Sequence, residues 1–348
     1  MLSAYTKISE NRYREIYGLD FEQFEKGQIF VHRPGITVSQ QDNKNEALST
    51  FNHAQLHYDA NYAAHTEWKK CLVVSTLTIG KIIGMTWKTF ARKGRIENFK
   101  SIAMVHPVFD GDTIYSESEI KDIINTEDAN FGKLIVETRG FNQENILISK
   151  IEYTIQMYRK GFHPYYSFVN QELQQERFSA YKMAENKYME QSGLYFEDFN
   201  EGEIFEHYPH TTFYNSESVE RACHSLEWNP KYTDHSYQQK YLKNHISNPI
   251  QELYAVTMSS THTTRTLGKV VANLEWKNIE IAREIGANEE LYSISEIMAK
   301  RESKSRPTQG ILTVNTKTFD ANNNLVISFE RVLLVYKKGC GPYTNSNY

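Results

Sequence analysis

The residues best suited to acid–base chemistry lie in the first half of the chain, where Asn52 is followed five residues later by His57. The imidazole of a histidine has an ordinary pKa of about 6.5, so at neutral pH it can both take up and release a proton. A carboxamide cannot act as a base, but it can orient a water molecule or the imidazole by hydrogen bonding. The pair is therefore a candidate for proton transfer to and from a bound substrate.

A second copy of this segment, 175 residues further along the chain, lacks that chemistry. There Glu227 takes the position of Asn52, and Tyr232 takes the position of His57. A phenol has an ordinary pKa of about 10 and is poorly matched to proton transfer at neutral pH. We therefore expect the first copy to carry the active site and the second to be a structural half that contributes to the substrate pocket.

Two aspartates are common to both copies, including the copy without the histidine. Asp59 and Asp234 lie 175 residues apart, each two residues after the position of His57 or its counterpart. Only the first copy has the histidine, so proton transfer does not explain why both copies have the aspartate. Aspartate is a favoured N-cap because its carboxylate accepts hydrogen bonds from the first turn of a helix. We predict that both aspartates are helix N-caps.

The duplication extends over the whole chain of 348 residues. The segment Gly18–Gly27 returns as Gly193–Gly202 at an offset of 175, and Tyr158–Tyr165 returns as Tyr336–Tyr343 at an offset of 178. Because the offset changes so little, both halves should share one fold, and each is long enough to be a domain. The predicted division is an N-terminal domain over 1–165, a helical linker over 166–190 and a C-terminal domain over 191–348.

Helices are predicted at two kinds of position. The linker should be amphipathic, with apolar contacts from Phe168, Val169, Leu173 and Phe178. Each half should also contain one long helix, which in the first half spans roughly Leu72 to Thr89. Small residues let a backbone approach its neighbours closely, so we expect this helix to pack tightly against a curved sheet. The small residues in question are Ser75, Thr76, Gly80 and Gly84.

The remainder of each half is predicted to be β-structure. Apolar and polar residues alternate over Thr113–Ile120 and Leu291–Ile297, which is typical of half-buried strands. Two further runs, Leu134–Thr138 and Asn145–Tyr158, flank a polar turn and predict an antiparallel hairpin. One long helix together with several antiparallel strands predicts an α+β fold in which a sheet wraps around a helix.

The composition limits the classes of partner. The formal net charge is −4, which argues against a broad nucleic-acid-binding surface, because such surfaces are usually basic. The longest apolar run, Cys71–Trp87, is too short and too polar for a membrane span, and the first residues lack the apolar core of a signal peptide. The three cysteines are far apart and form no paired metal-binding spacing. These features predict a cytoplasmic protein that binds neither nucleic acid nor membrane.

Three motifs, taken in order, resemble those of one known family. Asn52–His57 reads Asn-His-Ala-Gln-Leu-His, His106–Thr113 contains Pro-Val-Phe-Asp-Gly-Asp-Thr, and Ser303–Pro307 reads Ser-Lys-Ser-Arg-Pro. They resemble the MaoC-like hydratase/dehydratase family, in particular its double hot-dog members of the mesaconyl-CoA hydratase type. The resemblance implies a tandem double hot-dog, in which each half has a long central helix wrapped by an antiparallel sheet. It also implies that the two halves pair through their sheets, with a homodimer as a further expectation.

The resemblance implies roles for particular residues. His57 would be the base and acid of the reaction, and Asn52, at the position of the family's usual aspartate, would orient the water. Ser75 aligns with a family glycine, so its backbone N–H, near a helix N-terminus, would polarise the thioester carbonyl. Several arginines are candidates for holding a substrate carboxylate or a carrier phosphate. They are Arg306, which belongs to the third motif and is preferred, and Arg301, Arg139 and Arg265.

The implied reaction is the addition or removal of water across an α,β-unsaturated acyl thioester by a hydro-lyase. Branched or dicarboxylic acyl-CoAs, similar to mesaconyl-, itaconyl- or methylmalyl-CoA, are the expected substrates. Two alternatives stay open. One is a dehydratase acting on acyl-carrier-protein substrates in polyketide or fatty-acid synthesis, and the other is a non-catalytic acyl-thioester-binding protein. No metal and no separate cofactor are expected, since the CoA or the carrier's phosphopantetheine is part of the substrate.

Overall fold

The computed structural model describes residues 2–165, 173–242, 248–343, 346 and 348. In chain order its strands are β1 (Tyr5–Ser9), β2 (Arg12–Glu15), β3 (Ile29–Thr37), β4 (Lys93–Met104), β5 (Thr113–Ile124), β6 (Phe131–Phe141), β7 (Leu147–Tyr158), β8 (Tyr181–Ala184), β9 (Lys187–Glu190), β10 (Ile204–Glu206), β11 (Thr211–Thr212), β12 (Val270–Ile281), β13 (Glu290–Glu302), β14 (Gln309–Asp320) and β15 (Leu325–Tyr336). Its α-helices are α1 (Gln40–Ser49), α2 (Ala60–Ala64), α3 (Ser75–Gly84), α4 (Asn215–His224), α5 (Pro230–Thr233), α6 (His235–Tyr241) and α7 (Glu252–Thr261). Within these ranges no helix is long and apolar enough to span a membrane.

The strands form two sheets of the same design, one for each half. The first has the order β4-β7-β6-β5-β3-β9-β8, and the second has the order β1-β2-β10-β13-β14-β15-β12, with β11 beside β13. Helix α3 packs on β5 and β6, and α7 packs on β13 and β14. Residues of a strand such as β6 alternate between buried and partly exposed, because one face of the sheet covers the helix. The predicted α+β fold, a tandem double hot-dog, is confirmed.

The predicted strands are confirmed with shifted bounds: β5, β6 and β13 are longer than predicted, and β7 begins two residues later. Thr113–Ile120 lies within β5, and Leu291–Ile297 lies within β13. The predicted hairpin is formed by β6 and β7, which pair antiparallel over their whole length. Alternation was a sufficient signal here because these strands have one buried face and one face that is open to solvent.

The predicted central helix is also confirmed, but its packing differs from the expectation. The helix begins at Ser75, three residues later than predicted. Close packing through Gly80 and Gly84 is wrong, because both are exposed and a Cβ on either would meet no atom within 4 Å. The close approach is made from the sheet, at Gly140 of β6, where a Cβ would lie 2.2 Å from Cδ1 of Ile82.

The described part of the linker between the halves, residues 173–190, does not form the predicted helix. Phe168 and Val169 lie outside the described residues, and from residue 181 onward the chain forms the antiparallel hairpin β8–β9. Leu173 and Phe178 are buried as expected, in the core of the second half, but no α-helix presents them. A short apolar run has the same appearance in a helix and in a strand, so periodicity could not separate the two.

Each sheet receives its outer hairpin from the sequence that precedes the other half. Strand β9 pairs in parallel with β3 of the first sheet, where Tyr188 lies beside Phe30. Strand β2 pairs in parallel with β10 of the second sheet, where Tyr13 lies beside Phe205. The halves therefore exchange hairpins. These parallel pairings are how the halves contact each other through their sheets, while β4 and β12 end separate sheets in the described structure.

A buried histidine–glutamate pair closes each exchange. Nδ1 of His32 lies 2.9 Å from Oε1 of Glu190, and Nδ1 of His207 lies 3.0 Å from Oε1 of Glu15. Burial alone would raise the pKa of each carboxyl, but the charge and hydrogen bond of its histidine lower the pKa overall. Both pairs link a hairpin to the sheet of the other half, so they join the two halves into one unit.

Within the repeated segments, the motif Phe-Glu-x-Phe-x-x-Gly, at Phe21–Gly27 and Phe196–Gly202, has the same packing role in both halves. The ring of Phe21 covers Gly132 of β6, and the ring of Phe196 covers Gly310 of β14. A Cβ on Gly132 would lie 2.3 Å from the ring, and a Cβ on Gly310 would lie 2.2 Å from it. The motif and the glycine at the second position of the matching strand recur together because the phenylalanine ring of one contacts the other.

Candidate active site

His57 closes a short 3-10 turn, Gln55–His57, beside the segment that leads into α3. Its Nδ1 lies 2.7 Å from the carbonyl oxygen of Leu72. A carbonyl oxygen can only accept, so Nδ1 carries the hydrogen of this bond. In the neutral imidazole Nε2 then holds the lone pair and is the nitrogen that can accept a proton. The side chain is half-buried, which leaves it accessible from solvent.

Asn43 of α1, which the sequence did not mark as functional, fixes the His57 turn. Its Nδ2 donates to the carbonyl oxygens of His57 (2.8 Å) and Leu72 (3.0 Å), and its Oδ1 accepts from the N–H of Val74 (2.8 Å). The side chain is fully buried, and hydrogen bonds shielded from water are strong. Asn43 therefore sets the position of His57 relative to the N-terminus of α3.

The turn that contains Pro-Val-Phe-Asp-Gly-Asp-Thr supports both α1 and the segment before α3. Oδ1 of Asp110 accepts a hydrogen bond from the N–H of Gln40 (2.8 Å), the first residue of α1. The carbonyl oxygen of Val108 accepts from the N–H of Val73 (3.0 Å). This second motif therefore holds α1 and the segment before α3 in place. The His57 turn is bonded to both, through Asn43 and Leu72.

Ser75 is the first residue of α3 and is exposed. The N–H of the preceding residue, Val74, is bonded to Asn43, whereas the first-turn N–H groups of a helix have no intrahelical acceptor. These groups carry the partial positive charge of the helix N-terminus. Because Leu72 holds the imidazole and lies three residues before Ser75, His57 and the open N–H groups are at the same end of α3.

Asn52 is close to His57 in sequence but is not bonded to it. Its Oδ1 accepts from the N–H of Ala54 (3.0 Å), and its own N–H donates to the carbonyl oxygen of Ala47 (2.8 Å). Among the described residues no hydrogen bond joins Asn52 to His57. The structure therefore gives Asn52 a local role in the turn, and its role in orienting water stays a prediction.

The predicted substrate-binding arginines are not bonded to His57 in the described structure. Arg301 and Arg306 are exposed, one on β13 and the other in the turn that follows it. Arg139 of β6 is paired with nearby glutamates. In the described structure no hydrogen bond or ion pair joins any of the three to the His57 turn. Arg265 lies elsewhere and lines a cavity between the halves.

In the second half, the place that corresponds to this site is filled by side chains of the protein. The hydroxyl of Tyr232 donates to the carboxylate of Glu252 in the first turn of α7, and Nζ of Lys231 lies 2.9 Å from the same carboxylate. Burial and the Glu252 carboxylate raise the pKa of Tyr232 to about 12, so the phenol stays protonated at neutral pH. At the corresponding end of α3 the hydroxyl of Thr76 donates to the carboxylate of Glu46 (3.1 Å), and among the described residues no side chain is bonded to the N–H of Ser75.

Two acidic residues near the motifs have structural roles, as predicted. Asp59 is the N-cap of α2 and accepts from the N–H of Tyr62 (2.9 Å). Asp234 is the N-cap of α6 and accepts from the N–H of Tyr237 (3.0 Å). Over the part of the chain that the structure describes, no group of three His, Cys, Asp or Glu residues is arranged to hold a metal ion.

Two family models match the chain. The model of the MaoC like domain matches residues 21–139, and the model named Mesaconyl-CoA hydratase matches residues 175–341. Residues 21–139 therefore form a domain of the MaoC-like hydratase/dehydratase family. The MaoC-like domain match contains His57, whereas the mesaconyl-CoA hydratase match falls on the half that has Tyr232 in the corresponding position.

Several solved structures are similar to this MaoC-like chain. A protein of Chloroflexus aurantiacus J-10-fl assigned as a MaoC domain dehydratase is 16% identical, with 92% of this chain and 98% of that chain covered and a TM-score of 0.41. A Mycobacterium tuberculosis protein with a double hot-dog fold is 16% identical, with 92% and 99% covered and a TM-score of 0.38. The R-hydratase PhaJ1 of Pseudomonas aeruginosa is 19% identical, with 42% and 89% covered and a TM-score of 0.36. No curated protein sequence matches the chain.

Proposed function

We propose that this MaoC-like protein is a hydro-lyase that adds water to, or removes it from, an α,β-unsaturated acyl thioester, with His57 as its acid–base residue. The observation that supports this most directly is the bond from His57 Nδ1 to the carbonyl oxygen of Leu72, which leaves Nε2 to exchange a proton near the N-terminus of α3. Branched or dicarboxylic acyl-CoAs of the mesaconyl, itaconyl or methylmalyl type are the proposed substrates.

In the hydration direction, Nε2 of His57 removes a proton from water while the water oxygen bonds to the β-carbon of the enoyl thioester. The electrons of the double bond move toward the thioester carbonyl, whose oxygen gains negative charge. The backbone N–H of Ser75, in the open first turn of α3, is the proposed donor to this oxygen. His57 then gives the proton to the α-carbon, so a C–O bond and a C–H bond replace the π-bond and one O–H bond of water.

Asn52 is assigned a supporting part in this reaction. Its Oδ1 is bonded to the N–H of Ala54, so its Nδ2 is the group proposed to donate to the attacking water. Asn52→Asp would restore the family's usual residue. Hydration of simple enoyl-CoAs by that variant, but not by the wild type, would indicate that the asparagine specialises the site.

The proposal predicts that His57→Ala abolishes turnover, since a positioned acid–base group contributes about 10²–10⁴-fold to the rate. Crotonyl-CoA, mesaconyl-CoA and itaconyl-CoA are the substrates to test, and loss of the enoyl thioester is the signal to follow. His53→Ala is the matched control, because His53 is an exposed histidine of the same segment. Circular dichroism and thermal unfolding would establish that each variant is folded. Full activity in His57→Ala would contradict the proposal.

A binding function without catalysis is the second candidate, favoured by the missing bond between Asn52 and His57 among the described residues. It predicts that acyl-CoA binds equally well to the wild type and to His57→Ala, with no turnover by either protein.

A dehydratase that acts on a carrier-protein substrate is a third candidate, and it uses the same chemistry. Presenting one acyl group on CoA and on an acyl carrier protein would separate the two carriers, because an enzyme of the second kind turns over the CoA ester poorly.

A further inference from the structure

A cavity of about 790 Å³ lies between the two halves, apart from the site at His57. Proteins use cavities of about 300–1,000 Å³ to hold small molecules. The residues of the proposed active site are not among those that line it. Its wall is built by both halves, with Arg33, Trp87 and Lys88 from the first and His262, Arg265 and Arg331 from the second.

Arg331 of β15 is the most unusual group on this wall. The residue is only 5% exposed, yet in the described residues no carboxylate pairs with it. One guanidinium nitrogen, Nη2, donates to Oγ1 of Thr263 (2.8 Å), while Nε is buried without a partner. Burial without an anion lowers the pKa of Arg331 to about 10, so the group is still charged at neutral pH. A buried cation of this kind costs free energy unless an anion compensates it.

In the first half, the position equivalent to Arg331 carries a neutral side chain. Tyr153 of β7 corresponds to Arg331 at an offset of 178, and the two residues pair with equivalent aromatic residues, Phe99 of β4 and Trp276 of β12. The hydroxyl of Tyr153 is bonded to Oγ1 of Thr138 (3.0 Å), so the first half fills this place without an unpaired charge. The guanidinium of Arg331 lies over the rings of Trp276 (5.4 Å) and Phe329 (5.5 Å), but neither ring carries the negative charge that would neutralise it.

His262 is a second polar residue where the first half is apolar. It begins the 3-10 turn after α7, whereas Met85 begins the corresponding turn after α3. Its Nδ1 lies 2.8 Å from Oγ of Ser293, and its Nε2 is buried with no partner among the described residues. Burial, with His207 and His210 nearby, lowers the pKa of His262 to about 4, so the imidazole is neutral.

The charges on the wall favour an anion. Of the described residues that line the cavity, Glu190 is the one with a carboxylate side chain, and that carboxylate is bonded to His32. Burial lowers the pKa of Lys88 and of Lys269 to about 8, so both remain largely protonated at neutral pH. The cationic side chains of the wall are Arg33, Lys88, Lys182, Arg265, Lys269 and Arg331.

We propose that this cavity binds a small organic anion, whose carboxylate or phosphate group is held by the guanidinium of Arg331 and whose second polar group is held by Nε2 of His262. A guanidinium matches both kinds of oxyanion in a bidentate manner. The aromatic rings on the wall, such as Trp87, give the carbon skeleton an apolar surface. This binding site does not depend on the hydro-lyase reaction, because it shares no residue with the site at His57.

Isothermal titration calorimetry of the full chain tests the proposal, with citrate as the carboxylate probe and pyrophosphate as the phosphate probe. The wild type should bind at least one of them saturably, and the probe that binds identifies the oxyanion. Arg331→Tyr, which installs the residue of the first half, should weaken binding at least about tenfold, as expected for the loss of a charge-assisted hydrogen-bonded pair. Arg95→Tyr is the matched control, because Arg95 is exposed and outside the cavity. Its affinity should equal that of the wild type.

Binding of neither probe by the wild type would overturn the proposal, and so would equal affinities of the wild type and Arg331→Tyr. His262→Met provides a second variant if Arg331→Tyr does not fold, since it also installs the residue of the first half. It should weaken binding of the same probe severalfold, while thermal unfolding without the probe establishes that it is folded. An unchanged affinity in His262→Met, with Arg331→Tyr unfolded, would likewise overturn the proposal.

Discussion

His57 owes its tautomer to the carbonyl oxygen of Leu72, and that carbonyl oxygen also accepts a hydrogen bond from Nδ2 of Asn43. The amide of Asn43 can make this arrangement because it donates and accepts at once: it donates to two carbonyl oxygens and accepts from the N–H of Val74. The second half has Ser218 at the matching position, and its hydroxyl accepts from the N–H of Gln251 (3.3 Å). A serine is sufficient to hold the helix, but it is too short to hold a turn such as that of His57 as well.

Asn43→Ser should therefore reduce turnover by displacing His57, although the variant remains folded. The loss of buried hydrogen bonds should lower the free energy of unfolding by about 1–3 kcal/mol, as measured in urea. The value of kcat, measured at a temperature where the variant is fully folded, should fall as well. Ser218→Ala is the matched control in the second half, and it should lower stability and leave kcat unchanged. Wild-type kcat in Asn43→Ser would show that the imidazole does not need this support.

The two residues also show how far the sequence could predict the site. His57 stood out because the duplicated segment replaces it with Tyr232, which made the comparison of the halves informative. Asn43 did not stand out, since its partners are backbone groups that every segment of chain possesses. Its burial depends on how α1 packs, and no local pattern encodes that contact.

At the scale of elements, the strands and the central helix could be predicted and α1 could not. A sheet with one face on a helix produces alternation, and β5 and β13 were recognised by it. Helix α1 has no apolar stripe, because its buried residues are only Asn43 and Ala47. The hairpin β8–β9 was missed for another reason: its parallel partner, β3, is far away in sequence, and distant pairing leaves no local signal.

The contact between the ring of Phe21 and Gly132 of β6 should contribute to stability, and alanine substitutions at Gly132 and Gly80 can test this. Gly132→Ala places a Cβ 2.3 Å from the ring of Phe21, so the turn must move and the free energy of unfolding should fall by about 1–3 kcal/mol. Gly80→Ala is the control within the same half, since a Cβ there meets no atom within 4 Å. Alanine in place of a helical glycine should raise the free energy of unfolding by about 0.5–1 kcal/mol. Urea unfolding of both variants checks this, and the same sign for both would rule out the ring contact as the cause.

At the scale of the whole molecule, the halves are joined by exchanged hairpins and not by pairing of the long edge strands β4 and β12. In the described structure β4 and β12 each leave one edge without a partner strand, and both carry exposed apolar residues such as Phe99 and Trp276. Unpaired edges of this kind are places where another chain can add a strand. The homodimer that the family implies stays a prediction, and these two strands are where we expect it to form.

The sequence repeat and the folded units do not coincide. The predicted boundaries at 165 and 191 follow the repeat, but β1–β2 belong to the second sheet and β8–β9 belong to the first. A repeat offset cannot reveal such an exchange, because two separate domains and two exchanged domains have the same repeats. The buried hydrogen bond between Glu190 and His32 joins the exchanged hairpin to the first sheet, and no sequence pattern predicts this contact.

The exchange predicts which parts of the chain can fold alone. A fragment of residues 16–192 contains β3 to β9, so it keeps Glu190 beside His32 and the ring of Tyr188 stacked on Phe30 at 5.2 Å. It should give a cooperative urea transition and a native near-ultraviolet circular dichroism spectrum.

A fragment of residues 1–165 follows the repeat but lacks β8–β9, which leaves Phe30 uncovered and His32 without its carboxylate. We expect it to aggregate or to unfold without cooperativity. A fragment of residues 16–175 is the matched control, because it also lacks the hairpin and should fail in the same way. Cooperative unfolding of either short fragment would mean that each half closes its sheet without the exchanged hairpin.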